Sequence, residues 1–144
     1  MQVAATAHEH DALDDFSILL GFKCGLHATM KTYAHASWHF LFERLEVYGR
    51  HATYETFEME RISFTTGLEA ATTTLDFGLL SRNEKWGYRE EDQLFVDALE
   101  GKSPAPVTAE DGYRVIELME TCYQSARSGQ RLTDGAAAPA AKGS

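Results

Sequence analysis

The sequence has 144 residues, of which 22 are acidic and 13 are basic, so its formal net charge is -9. A chain of this length can build one domain with a real hydrophobic core, and its excess negative charge argues against nucleic acid, whose phosphates require clustered Lys and Arg. It lacks an apolar run near the ~20 residues that span a bilayer, and its first residues lack a signal-peptide core. We therefore expect a cytoplasmic protein with no nucleic-acid or membrane partner.

Alternating apolar and polar residues predict a series of β-strands in the first half of the chain. After a short strand near residues 2–7, "DFSILLGF" (15–22) places Phe16, Ile18, Leu20 and Phe22 on one side. The stretch 26–36 places two sets of side chains on opposite sides: Leu26, Ala28, Met30, Thr32 and Ala34 against His27, Thr29, Lys31, Tyr33 and His35. A third long strand is expected at 40–48, with Leu41, Leu45 and Val47 on one side and Phe42, Arg44, Glu46 and Tyr48 on the other. A turn around Gly49 follows it, and shorter strands are expected at 58–65 and 70–76.

Helical periodicity replaces strand alternation in the last third of the chain. The segment 89–102 predicts a helix with Leu94, Phe95, Ala98 and Leu99 facing inward. A capping box formed by Thr108 and Asp111 starts a second helix, and Gly129 ends it. Its predicted buried stripe is Val115, Leu118, Met119, Cys122 and Ala126.

Strands first and helices last predict an α+β fold, with a mostly antiparallel β-sheet and two C-terminal helices packed on one face. We expect a single domain over residues 1–132 and a disordered tail over 133–144, where "TDGAAAPAAKGS" lacks periodicity. Cys24 and Cys122 have no C-x-x-C spacing, so both are expected to be reduced, partly buried thiols.

Polar and aromatic side chains crowd the stretch "HATMKTYAHASWHFLFERLEVYG" (27–49). Aromatic walls with a few hydrogen-bonding groups are typical of a small-molecule pocket, but a solvated or dimer-forming sheet face has the same composition. For the pocket, the predicted catalytic residues are His35, His39 and Arg44, and the predicted substrate-binding residues are Tyr33, Trp38 and Tyr48. Glu46, Glu58 and Glu60 are further acid–base candidates.

The histidines do not predict a metal site. His35 and His39 would lie roughly 13 Å apart on a continuous strand, too far to share one ion, although a turn at Ser37 would bring them closer. His8 and His10 occur in an acidic turn, and no complete set of ligands is visible.

Several segments in a fixed order give the sequence its family resemblance. Three segments follow one another in this order: "DDFSILLGFKCGLHATMKTYA", "FERLEVYGRHATYE" and "EDQLFVDALEGKSPAPVTAEDGYRVIELMETCYQSARSGQRL". Together they resemble the second half of the glucose–fructose oxidoreductase/inositol dehydrogenase (Gfo/Idh/MocA) family over roughly residues 14–132. The family pattern often has a second glycine after "YG", where this sequence has Arg50, His51 and Ala52.

The resemblance implies a C-terminal sheet domain, which in that family binds substrate and builds the oligomer. The N-terminal dinucleotide-binding domain of the family has no counterpart here: the 144 residues contain no G-x-G-x-x-G. The family's Glu-Lys-Pro lysine segment and its Asp-x-x-x-His helix are also not found, so none of its catalytic residues can be transferred.

Three functions are compatible with these observations. The first is a cofactor-independent enzyme that isomerises, eliminates or cyclises a small, largely apolar molecule, for which a Diels–Alder-type ring closure would need only a shaped pocket. The second is a non-catalytic ligand-binding or regulatory subunit, and the third is the substrate-domain half of a split NAD(P)-dependent oxidoreductase. The first is favoured, with no cofactor and with a homodimer formed through the sheet.

Overall fold

A computed structural model describes residues 1–9, 13–33, 43–58 and 60–133. Within this part of the chain there are eight strands and three helices: β1 (Gln2–Glu9), β2 (Leu13–Gly21), β3 (His27–Thr32), β4 (Arg44–Gly49), β5 (Ala52–Phe57), β6 (Arg61–Thr66), β7 (Thr73–Asp76), α1 (Arg82–Lys85), α2 (Tyr88–Leu99), α3 (Ala109–Ser128) and β8 (Leu132–Thr133). They divide into two compact units, one formed by Met1–Ala36 with Val107–Ser144 and the other by Ser37–Pro106.

The first unit contains an antiparallel sheet with the strand order β3-β2-β1-β8. Ala5 is paired with Ile18, which is paired in turn with Met30, so these three side chains share one face of the sheet. The turn between β2 and β3 is closed by Phe22, whose N–H donates to the carbonyl of Leu26 at 2.9 Å. Gly25 takes a φ of 90° in this turn, a conformation that glycine adopts without strain.

Helix α3 covers one face of this sheet and forms the core of the first unit. The buried apolar residues are Val3, Ala5, Phe16, Ile18 and Cys122, with Ala7, Leu20, Leu118, Tyr123 and Ala126 packed against them. The ring of Phe16 meets the ring of Tyr123 edge to face, with a centroid distance of 5.1 Å. Hydrophobic burial and this aromatic contact hold the helix on the sheet.

The ends of α3 are those that the sequence predicts. Thr108 Oγ1 accepts from the N–H of Asp111 at 3.2 Å, Asp111 accepts from the N–H of Thr108 at 2.8 Å, and Gly129 takes a φ of 65°. Hydrogen bonds from the Thr108 side chain and then its backbone lower the pKa of the Asp111 carboxyl. The carboxylate therefore stays ionised, the form that the box requires.

The predicted stripe of α3 is only partly buried. Leu118, Cys122 and Ala126 contact the core, and burial raises the pKa of the Cys122 thiol. Val115 and Met119 are exposed, so their predicted burial is wrong. The buried residues of α3 begin only at Thr121. Periodicity identifies the apolar face of a helix but does not show which of its turns pack against another element. Cys24 is also exposed rather than partly buried.

The second unit contains an antiparallel sheet with the strand order β4-β5-β6-β7. The α+β class, with antiparallel strands followed by helices, is thus confirmed, while the strands are divided between two sheets and the short α1 is an additional helix. In α2, Ala98 is half-buried, but Leu94, Phe95 and Leu99 are exposed. The inward orientation predicted for these three residues is therefore wrong for the second unit.

Candidate functional site

The candidate site begins at the hairpin of β4 and β5. Gly49 is paired with Ala52, so Arg50 and His51 form a two-residue loop, and His51 takes a positive φ of 59°, as the second central residue of a type II turn does. This loop fixes the register, which places Glu46 directly opposite Glu55. Because side chains alternate along a strand, Arg44 and Tyr48 share their face with this pair of glutamates.

Four side chains on this face form a connected group that we call the charge cluster: Arg44, Glu46, Tyr48 and Glu55. Nη2 of Arg44 lies 2.7 Å from Oε1 of Glu46 and 2.7 Å from Oε1 of Glu55. The Tyr48 hydroxyl donates a 2.5 Å hydrogen bond to Oε2 of Glu46. A single guanidinium therefore links both carboxylates across the two strands.

The charge cluster has one more negative charge than positive. Its Tyr48 hydroxyl is exposed, and the hydrogen bond to Glu46, followed by the negative charge of that carboxylate, raises the pKa of Tyr48. Tyr48 therefore remains a neutral donor at physiological pH. Both carboxylates compensate the charge of Arg44, so its guanidinium is less available for the catalytic role that the sequence predicts for it.

A recess of about 170 Å³ adjoins the charge cluster and shares Glu55 with it. Its other lining residues are Phe57, Arg61, Ser63 and Thr74. The guanidinium carbon of Arg61 lies 4.6 Å from the centre of the Phe57 ring, within the range of a cation–π contact. The Ser63 and Thr74 hydroxyls are 3.1 Å apart and bonded to each other. The recess thus combines a carboxylate, a cation, two hydroxyls and an aromatic wall.

The structure brings together two of the six predicted site residues, Arg44 and Tyr48. Tyr33 is exposed and belongs to the first unit. His35, Trp38 and His39 lie outside the described residues, so their roles stay predictions. Of the other acid–base candidates, Glu46 joins the charge cluster, and Glu60 is bonded to the ammonium of Lys85.

Reasoning from the sequence did not identify the residues that line the recess: Glu55, Phe57, Arg61, Ser63 and Thr74. A signal for Glu55 was present, since counting outward from the two-residue loop at Arg50 and His51 gives its pairing with Glu46. No comparable signal identifies Arg61 or Thr74, because their positions depend on how β6 and β7 pair with β5 and with each other.

The described part of the chain has neither a cluster of metal-ligating side chains nor a helix that could span a membrane. No group of three or more His, Cys, Asp or Glu side chains there could hold a metal ion. None of the helices described is both long enough and apolar enough to cross a bilayer.

Two antiparallel sheets, helices that follow the first seven strands, and a polar recess on one sheet face define the chain as an α+β sheet domain. Residues 2–133 match the C-terminal alpha/beta domain of the oxidoreductase family that includes Gfo, Idh and MocA, and the chain belongs to this family. The sequence finds no match among curated proteins.

Solved structures of oxidoreductases share the fold. One from Agrobacterium radiobacter, in complex with NAD+, L-tartaric acid and magnesium, has a TM-score of 0.73 at 20% identity, over 93% of this chain and 43% of that one. An oxidoreductase domain protein from Kribbella flavida has a TM-score of 0.80 at 14% identity, over 94% of this chain and 44% of that one. The WlbA dehydrogenase from Bordetella pertussis, in complex with NADH and UDP-GlcNAcA, has a TM-score of 0.62 at 16% identity, over 90% of this chain and 38% of that one. The chain spans less than half the length of each.

Proposed function

We propose that this chain is a cofactor-independent enzyme of the isomerase, lyase or cyclase type, which acts in the cytoplasm on a small, largely apolar molecule bearing a carbonyl group. The observation that carries the proposal is the recess beside the charge cluster, where Glu55 and Arg61 line the same space. A carboxylate and a cation around one small molecule are the groups that proton transfer next to a carbonyl requires.

In this proposal Glu55 is the general base. Its Oε1 is held by Arg44 at 2.7 Å, while Oε2 has no partner among the described side chains. Glu55 removes a proton from the carbon next to the carbonyl, and the electron pair moves onto the carbonyl oxygen. Arg61 stabilises the resulting oxyanion, and the Ser63 and Thr74 hydroxyls orient the molecule against Phe57.

Among the three reaction types, these groups favour isomerisation and elimination over pericyclic ring closure. A pericyclic reaction depends on an enclosing shape and needs little acid–base chemistry, whereas the recess offers ionised and hydroxyl groups. Arg44 and Tyr48 act here as positioning residues, since Arg44 holds both carboxylates and Tyr48 holds Glu46. The catalytic roles predicted for His35 and His39 and the binding roles predicted for Tyr33 and Trp38 stay part of the proposal.

A nitrobenzisoxazole is a suitable probe because a base opens it to a coloured nitrophenolate without any cofactor. One C–H bond and one N–O bond break, and a nitrile forms. We expect the purified chain to open it about tenfold faster than the same concentration of acetate, a modest value beside the roughly 10²- to 10⁴-fold of well-positioned general bases. Glu55→Gln should remove this advantage, whereas Glu69→Gln, which changes an exposed loop carboxylate, should retain it.

Two results would contradict the assignment. If the chain were no faster than acetate, the recess would not contain an active base. If Glu55→Gln and Glu69→Gln behaved alike, the base would lie elsewhere in the chain. The absorbance of the phenolate measures both outcomes in one experiment.

A second candidate function is the substrate-domain half of a split NAD(P)-dependent oxidoreductase. It is supported by the coverage of the solved structures, which match this chain over only 38–44% of their own length. Titration with NADH, followed by its fluorescence, separates the two candidates. Tight binding of NADH would argue against cofactor independence. The third candidate, a non-catalytic ligand-binding or regulatory subunit, would bind a small molecule without converting it.

We also propose a homodimer formed through the sheet of the second unit. The face opposite the charge cluster exposes Leu45, Val47, Tyr54 and Leu75. A contiguous apolar face of this kind is typical of a protein–protein interface, and a second copy would remove it from water.

Val47→Asp is expected to weaken the dimer by at least about tenfold, because it would bury a carboxylate without a partner. Light scattering over a range of protein concentrations measures the dissociation constant. Thr53→Asp places the same charge on the opposite face of the same sheet and is expected to leave the dimer intact. A wild-type chain that stays monomeric at high concentration would exclude the dimer.

A further inference from the structure

We infer that the sheet of the first unit holds a binding site for a small amphipathic carboxylate on the face opposite α3. This face is lined by Ala4, Thr6, Ser17, Leu19, Thr29 and Lys31 from three neighbouring strands, and Ser125, Gly129 and Gln130 at the C-terminal end of α3 also line the space. They surround a depression of about 510 Å³. The site lies within the first unit, uses no residue of the charge cluster, and is independent of the function proposed above.

One row of the depression consists of hydrogen-bond donors. Thr6 is paired with Ser17, and Ser17 is paired with Lys31, so two hydroxyls and an ammonium lie side by side across β1, β2 and β3. All three side chains are exposed. Such a row can donate three hydrogen bonds to the two oxygens of a carboxylate, and the ammonium supplies the opposite charge.

The next row provides an apolar floor. Ala4 is paired with Leu19, and Leu19 is paired with Thr29, whose methyl group extends the same surface. Leu19 leaves 49% of its surface exposed, although it lies in the middle strand of these three. Successive residues on one face are about 7 Å apart, so this row would contact the hydrocarbon adjacent to a carboxylate bound at Lys31.

Arg131 bounds the far end of the depression. Its side chain contacts the Oε1 atom of Gln2, and its Nη2 atom lies 3.7 Å from the position that a Cβ atom would take at Gly21. Gln2 and Gly21 are paired neighbours, so the guanidinium lies across the end of β1 and β2. The absence of a side chain at Gly21 leaves this space open.

The charge of the depression favours an anion. The chain has 22 acidic residues and a net charge of -9, yet none of the residues that line the depression is Asp or Glu. Both of its charged residues, Lys31 and Arg131, are cationic. No salt bridge joins Lys31 to a carboxylate among residues 1–7, 15–33, 43–58 and 60–133. Complementarity of charge and of apolar surface together select a molecule with one carboxylate and a hydrocarbon body.

Octanoate is a suitable probe, with octanol and octylammonium as controls that keep the chain length and change the head group. Titration of the full chain, followed by the NMR shifts of its backbone amides, should show octanoate binding at β1, β2 and β3. We expect its affinity to exceed that of octanol by at least about tenfold, because a charge-assisted hydrogen bond is lost in the alcohol. Octylammonium should bind more weakly still.

Variants test the role of the ammonium. Lys31→Met keeps most of the apolar stem and should weaken octanoate binding at least about tenfold, while Lys31→Arg should largely retain it. Lys23→Met removes an equally exposed lysine that does not line the depression, and it should have no effect. Equal affinities for octanoate and octanol, an unchanged affinity in Lys31→Met, or shifts confined to other elements would each overturn the inference.

Discussion

Substitution of Phe16 by alanine is expected to lower the free energy of unfolding of the first unit by about 3–5 kcal/mol. Phe16 is 5% exposed, and its ring packs edge to face with Tyr123 of α3 at a centroid distance of 5.1 Å. The substitution removes a large apolar side chain from the contact between sheet and helix. It also leaves a cavity that the surrounding residues can fill only in part.

Urea unfolding followed by far-ultraviolet circular dichroism measures this change, and hydrogen exchange of the α3 amides assigns it to the first unit. Phe95→Ala is the matched control, because Phe95 is 62% exposed and its removal should cost far less. Similar losses for the two variants would show that Phe16 is not part of the core that holds α3.

Substitution of Ser125 by alanine is the second large effect that we expect. Ser125 is 1% exposed, its Oγ atom accepts from the N–H of Ala5 at 2.9 Å, and its hydroxyl donates to the carbonyl of Gln130 at 2.7 Å. Among the described residues, β8 pairs with β1 at Gln2 and Val3 alone, so the N–H of Ala5 lies beyond the first residue of β8 and needs another acceptor. One hydroxyl thus joins α3 to β1 and to the segment before β8.

Ser125→Ala should lower the free energy of unfolding by about 2–4 kcal/mol, since a buried donor left without a partner costs ~1–3 kcal/mol and a second hydrogen bond is lost with it. Ser128→Ala is the matched control in the next turn. Its exposed hydroxyl donates to the carbonyl of Gln124 within the helix and accepts from the N–H of Gln130 at 3.3 Å, and water can replace both partners, so the change should be small. Hydrogen exchange of Ala5 should accelerate in Ser125→Ala alone, and unchanged exchange there would contradict this account.

Three of the eight residues that form the charge cluster and the recess could be predicted from the sequence. Strand alternation placed Arg44, Glu46 and Tyr48 on one face, and the structure confirms that grouping. It did not reveal that Arg44 is already paired with two carboxylates, because the second of them, Glu55, comes from the neighbouring strand. Arg61 and Thr74 come from strands farther along the sheet and carry no local sign of their role.

The sequence by itself determined the local features: the start of α3 at the Thr108 capping box, its end at Gly129, and the alternating face of β2. These depend on interactions within a few residues, which the order of residue types specifies directly. Only the tertiary structure decided that the strands form two sheets, that α3 buries its second half, and that Ser125 is a core residue. Periodicity tells which side of an element is apolar, whereas pairing and burial depend on distant segments that compete for that side.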